Sequence, residues 1–157
     1  MKKTCLFAIT FFLSVVTCAI GADLRSNILP KLAISPDTSV SNNDNTIGPV
    51  IDRHGYGSVT FVIVSGTLAD NDVTLTPTVQ VCAIDNCADA AAAAAETLIG
   101  TVAGATFAET DDNTVKSIGY KGTARYLRII MTPANNTGAA RFGAVCILGN
   151  KQYGPAQ

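Results

Sequence analysis

The chain has 157 residues, with 11 Lys+Arg against 12 Asp+Glu, one His and no Trp. That is the length of one domain, with enough apolar residues to bury a core and too few for a second. Lys2 and Lys3 fall in the N-terminal segment, leaving 9 basic against 12 acidic residues beyond it, which disfavours nucleic acid as a partner because phosphate binding needs clustered positive charge.

The N-terminus, "MKKTCLFAITFFLSVVTCAIGADL", sets two lysines before an apolar run from Cys5 to Val16 and small residues at Ala19, Gly21 and Ala22. This is the layout of a secretory signal peptide over residues 1–22, removed near Gly21 or Ala22; the alternative is a retained apolar anchor. The run is short for a membrane span, so membrane contact is expected only through this leader. Thr17 before Cys18 argues against a lipoprotein site.

Residues 23–50, rich in Ser, Asn, Asp and Pro, are predicted to form an extended arm with one or two short strands. The β-sandwich domain is predicted over 51–150, with a short tail at 151–157. In "GYGSVTFVIVSG" the residues Val59, Phe61 and Ile63 alternate with Thr60, Val62 and Val64, all strand formers. Both sides of this strand carry apolar residues, so it is expected to be covered on both faces or shielded by a neighbour.

"TLTPTVQVCAI" alternates more sharply. Leu75, Val79, Val81 and Ala83 point one way and Thr74, Thr76, Thr78 and Gln80 the other. Pro77 has no amide donor and pushes this strand toward a sheet edge or a bulge. Cys82 and Cys87 frame a loop short enough for a local disulfide, with free thiols the alternative and Cys146 left over. "ADAAAAAAETLIG" is the one helical candidate, on alanine's propensity, with an extended low-complexity loop as its rival; a helix that short must rest on a sheet.

A strand from Val115 to Tyr120 follows an acidic turn at Asp111-Asp112-Asn113. The segment "RYLRIIMTPANNTGAARFGAVCILG" then gives a hairpin: Leu127, Ile129 and Met131 form the buried face of its first strand, "ANNTG" is the turn, and Phe142 to Leu148 is the last strand. Short strands with Gly, Asn and Asp turns, plus one short Ala-rich helical insertion, predict an all-β antiparallel sandwich, with a jelly roll the preferred form.

Chemistry is sparse. His54 has no Ser or Cys nucleophile assignable to it, and "GYGS" is not a nucleophile elbow. The pairs Asp70/Asp72 and Asp111/Asp112 sit in turns rather than across a cleft. "DNDVTLTPTVQV" lacks the glycine and terminal glutamate of a calcium loop, and three cysteines with one distant histidine do not make a zinc site. No enzyme, metal or cofactor is expected. The face opposite Leu127, Ile129 and Met131 supplies a candidate partner-binding set in Arg128 and Tyr126, to which Tyr120 is added. The tyrosines at 56, 120, 126 and 153 are the only stacking platforms for a glycan other than Phe.

The blocks "IDRHGYGSVTFVIVSGTLADNDVT", "IGYKGTARYLRIIMTPANNTGAA" and "AVCILG" resemble those of small tailed-phage and prophage structural proteins encoded near head genes, over about Ile51 to Gly149. The hairpin also resembles the closing strands of galactose-binding-like jelly rolls. The resemblance implies a non-enzymatic subunit of a virion or extracellular particle: a capsid decoration, minor head or fibre-base protein with protein partners, homo-oligomeric or capsid-bound. It brings no catalytic residues. The leader and the "CAIDNC" cysteines depart from it and point to an exported, periplasmic or extracellular protein. The second expectation is therefore a secreted carbohydrate-binding or adhesion module.

Overall fold

The computed structural model describes residues 24–152. The expected leader and cleavage point, and Tyr153 with the residues after it, lie outside them. In chain order come a one-turn helix α1 (Leu24–Asn27) and strands β1 (Leu29–Ile34), β2 (Ser39–Val40), β3 (Thr46–Ile47), β4 (Ile51–Asp52), β5 (Tyr56–Leu68), β6 (Thr74–Cys82) and β7 (Ala91–Ala92). A 3-10 turn (Ala95–Thr97), β8 (Leu98–Ile99), α2 (Val102–Ala105), β9 (Phe107–Ala108), β10 (Val115–Tyr120), β11 (Tyr126–Ala134) and β12 (Ala140–Lys151) complete the described chain.

The strands form two antiparallel sheets packed as a sandwich. Sheet one runs β1-β12-β5-β10-β8, with β2 also on β12; sheet two runs β3-β11-β6-β7, with β4 also on β11 and β9 also on β6. The core follows from side-chain alternation. Sheet one sends Val59, Phe61 and Ile63 inward beside Ile118 of β10 and Cys146 and Leu148 of β12, all buried. Sheet two answers with Leu75 and Val79 of β6 and Leu127, Ile129 and Met131 of β11. Each such side chain contributes ~1.5–3 kcal/mol by leaving water, whereas a two-residue strand adds one or two backbone bonds at ~1 kcal/mol net each. The long strands β5, β6, β11 and β12 therefore carry the fold, and the short ones ride on them.

Three local expectations meet the structure differently. The alanine run is mostly extended: Ala91 and Ala92 pair with Val81 and Gln80, and its helical part is only the 3-10 turn that Ala95 opens. Six alanines have no apolar stripe long enough to fasten a helix to a sheet, so propensity alone does not hold one. The arm is more than an extended lead-in, since β1 and β2 join sheet one while β3 joins sheet two. At Gly48 an added Cβ would lie 2.2 Å from the Ala33 carbonyl oxygen, so only glycine lets the arm fold back this closely. Pro77 sits in β6 opposite Met131, in the gap between the stretches paired with β7 and β9, where the strand has a ladder neighbour on one side only. Its missing amide is tolerated there for the reason that confines proline to edges.

Candidate functional site

The outward face of sheet two is polar apart from Ile130 of β11 and its β3 neighbour Ile47, which is 56% exposed. Thr74, Thr76, Thr78 and Gln80 of β6 stand beside Arg128 and Thr132 of β11, and Arg128 Nε donates to Gln80 Oε1 across the ladder at 2.7 Å. Tyr126 shares this face, with the Arg125 guanidinium 4.9 Å from its ring. Of the candidate partner-binding set, the structure thus brings Arg128 and Tyr126 together. Tyr120 is corrected out of that set: it lies in sheet one, points inward and is 3% exposed. Its hydroxyl accepts from the Ala124 amide at 3.1 Å, and its ring lies under the Arg53 guanidinium.

The polar residues at the two ends of the sandwich are spent on holding loops. At one end Arg53 donates through Nε to the Ala124 carbonyl at 2.5 Å and through Nη2 to the Gly122 carbonyl at 2.7 Å. Asp52 there accepts two bonds from Arg125, at 3.0 and 2.8 Å, and that guanidinium holds its carboxyl below the usual range. His54 is exposed beside them, its amide donating to Asp52 Oδ1. This fork explains why "IDR" and "TAR" both belong to the same end of the chain's framework: one reads the other's backbone and charge.

At the opposite end the "NNTG" turn is pinned from two sides. Asp70 Oδ2 accepts from the Thr137 amide (2.6 Å), the Thr137 hydroxyl (2.8 Å) and the Gly138 amide (3.1 Å). The Thr137 amide, more than any other contact, pulls the Asp70 carboxyl far below its ordinary value, while sharing a hydrogen bond with Asp70 raises that of Asp72. Asn136, 2% exposed, donates through Nδ2 to the carbonyls of Val40 and Asn42 and so ties the arm to the hairpin. The acidic pair is therefore a fastening, and no group of three or more His, Cys, Asp or Glu side chains positioned for a metal occurs among the described residues.

Cys82 and Cys87 are disulfide-bonded, with their Cα atoms 5.1 Å apart. Asp89 braces the loop they close by accepting from the Ala83 amide, which lowers its pKa. Cys146 is a buried free thiol whose pKa burial pushes up to about 12, so at neutral pH it is a small apolar core residue and not a nucleophile.

The outward face of sheet one differs in kind. Register places Gly143, Val64 and Val115 in one row across β12, β5 and β10, and Val145, Val62 and Ser117 in the next. A third row holds Ile147, Thr60 and Gly119, and β1 adds Leu32 beside Val145. Not one of these residues is charged. Leu32 is 58% exposed, Val115 63%, Val64 45% and Val145 40%. A groove of about 440 Å³ opens on this face between Leu32, Pro36, Val64 and Val145, with Arg141 at its end. Gly143 forms part of its lining, because a Cβ there would meet Pro36 Cα at 2.8 Å and force the β1–β2 turn off the sheet. The sequence signal for this surface was present in β5, apolar on both sides, but it was equally compatible with internal cover. Comparison with known proteins finds no family model, no curated relative and no solved structure that matches the chain.

Proposed function

We propose that the chain is a non-enzymatic structural subunit of a virion or extracellular particle, attached to a larger assembly as a capsid decoration, minor head or fibre-base protein. The observation that carries this reading is the uncharged, apolar outward face of sheet one. Monomeric proteins keep such patches to a few hundred Å², and larger ones mark surfaces that meet another macromolecule. The polar residues at both ends of the sandwich hold loops and do not converge on a point where a substrate would react, which favours assembly over catalysis.

The strand order adds support for a jelly roll. The order β1-β12-β5-β10 faces β3-β11-β6-β7, and the successive long strands β5, β6, β10, β11 and β12 change sheet at every step. Jelly rolls serve in viral capsids and in lectins, so the fold does not by itself choose between the two expectations. The carbohydrate-binding alternative draws on the other face, where Tyr126, Arg128 and Gln80 offer a ring and hydrogen-bonding groups side by side.

Particles banded on a density gradient from the native source decide between them. The proposed subunit bands with the particles at a fixed copy number. A chain found only free in the medium, and retained on an immobilised glycan in a Tyr126-dependent way, would replace this reading with the alternative.

A further inference from the structure

We infer that the outward face of sheet one binds a second copy of this chain, as a two-fold dimer whose axis runs along β5. This deepens the structural-subunit reading by naming that subunit's first partner.

Size permits it. Strands ~4.8 Å apart with ~3.4 Å per residue give roughly 16 Å² per residue, so the six-residue β1 and β10, the longer β5 and β12 and the two-residue β8 make a face of roughly 600 Å² in projection. That is within a factor of two of the ~800 Å² that each partner contributes to a stable interface. Aligned sheets stack in this way about 10 Å apart. The absence of charge suits a second copy in particular, because residues near a two-fold axis meet their own counterparts and any charge there would face itself.

The relief of the face is self-complementary about β5. A two-fold axis along β5 lays β10 of one copy over β12 of the other, at the same level along the strands. Val115 and Gly143 flank Val64 from opposite sides in one row. The rotation therefore sets Val115 of β10 against Pro36, which caps Gly143 at the edge of the groove on β12, twice per dimer, and puts Val62 against itself at the centre.

Charge at the rim agrees. Arg141 lies on the β12 side of Gly66, its Cβ 3.2 Å from where a Gly66 Cβ would be, and it makes no ion pair among the described residues. On the β10 side of the same stretch, Asn113 donates its amide to the Gly66 carbonyl, and Asp112 Oδ1 accepts from the Leu68 amide. Asp112 also has no cation among the described residues. The rotation that sets Val115 against Pro36 brings Arg141 of one copy to Asp112 of the other, again twice.

Sedimentation of the full chain over a concentration series tests this, with thermal melting to confirm that each variant is folded. The wild type is expected to be a dimer. Val145→Asp should weaken it by at least ~100-fold, since two desolvated carboxylates enter the apolar centre. Arg141→Asp should weaken it by ~10-fold through repulsion from Asp112, and Arg141→Asp with Asp112→Arg should recover most of that loss. A monomeric wild type overturns the dimer, whether the face is bare or is covered by residues 1–22; so does a Val145→Asp protein that is folded and still dimeric. Failure of the charge reversal to recover association overturns the stated axis. A monomer that still bands with particles leaves the structural-subunit reading standing, and a dimer absent from particles does the reverse.

Discussion

The two sheets of this sandwich have similar inner faces and opposite outer ones. In sheet two, β6 alternates Leu75 and Val79 inward with Thr74, Thr76, Thr78 and Gln80 outward, a half-buried polar set in which Gln80 accepts from Arg128. In sheet one, β5 alternates Val59, Phe61 and Ile63 inward with Val62 and Val64 outward, and nothing among the described residues covers that second set. Both strands satisfy the same period of two. What differs is the company each outer face is built to keep: threonine and arginine are compatible with solvent, whereas a continuous valine surface is held in water at a cost of ~25 cal/mol for each Å² left uncovered.

Substitutions on each face sharpen that contrast. The largest effect belongs to the shared interior: Ile129→Asp puts a carboxylate at a position 0% exposed, costing more than the ~5–15 kcal/mol by which a domain of this size is stable. The variant should show no cooperative thermal transition. Its neighbour Arg128→Ala, on the polar face, should lose only the bond to Gln80, ~0.5–1.5 kcal/mol, and melt a few degrees lower. Unfolding by the second substitution and not the first would mean that the faces of β11 are reversed.

A smaller effect is set by pH. Asp70, Asp52, Asp111 and Asp89 all have folded pKa values below the ordinary 3.8. Their stabilisation is therefore full above that value and is lost as pH falls through the folded values; Asp72, raised, acts in the opposite sense. Melting temperature should drop between pH 6 and pH 3, and Asp70→Asn should be less stable at pH 6 while dropping less. An equal drop in the variant would show that the Asp70 clamp is not part of the acid response. The smallest change in stability, within ~1 kcal/mol, is expected for Val145→Asp on one outer face and Thr78→Asp on the other. Only the first should alter sedimentation, and matching behaviour of the two would erase the distinction between the faces.

Much of the architecture was legible because period-two patterns are local. β5, β6, β10 and β11 follow directly from their alternation, and the buried Leu127, Ile129 and Met131 from theirs. The positions of the short strands were not legible, since β2, β3, β4 and β7 are two residues each and exist only because a long strand offers an edge. The alanine run misled for the same reason: its state is set by pairing with Gln80 and Val81 rather than by propensity. Tyr126 and Arg128 were placed on one face by simple counting, but Tyr120 could not be separated from them without knowing that β10 and β11 belong to different sheets. The bare side of β5 was visible as a pattern. Whether anything covered it was a question of tertiary structure.

The pairing of β1 and β2 with β12 has a kinetic consequence. The arm precedes the other described strands in the chain, yet its sheet-one strands pair in a ladder only with β12, at the far end of the described residues and a hundred residues or more later. β5 waits for the same strand on one of its sides. Until β12 has been synthesised sheet one has no centre, so the sandwich closes only after that strand has left the ribosome.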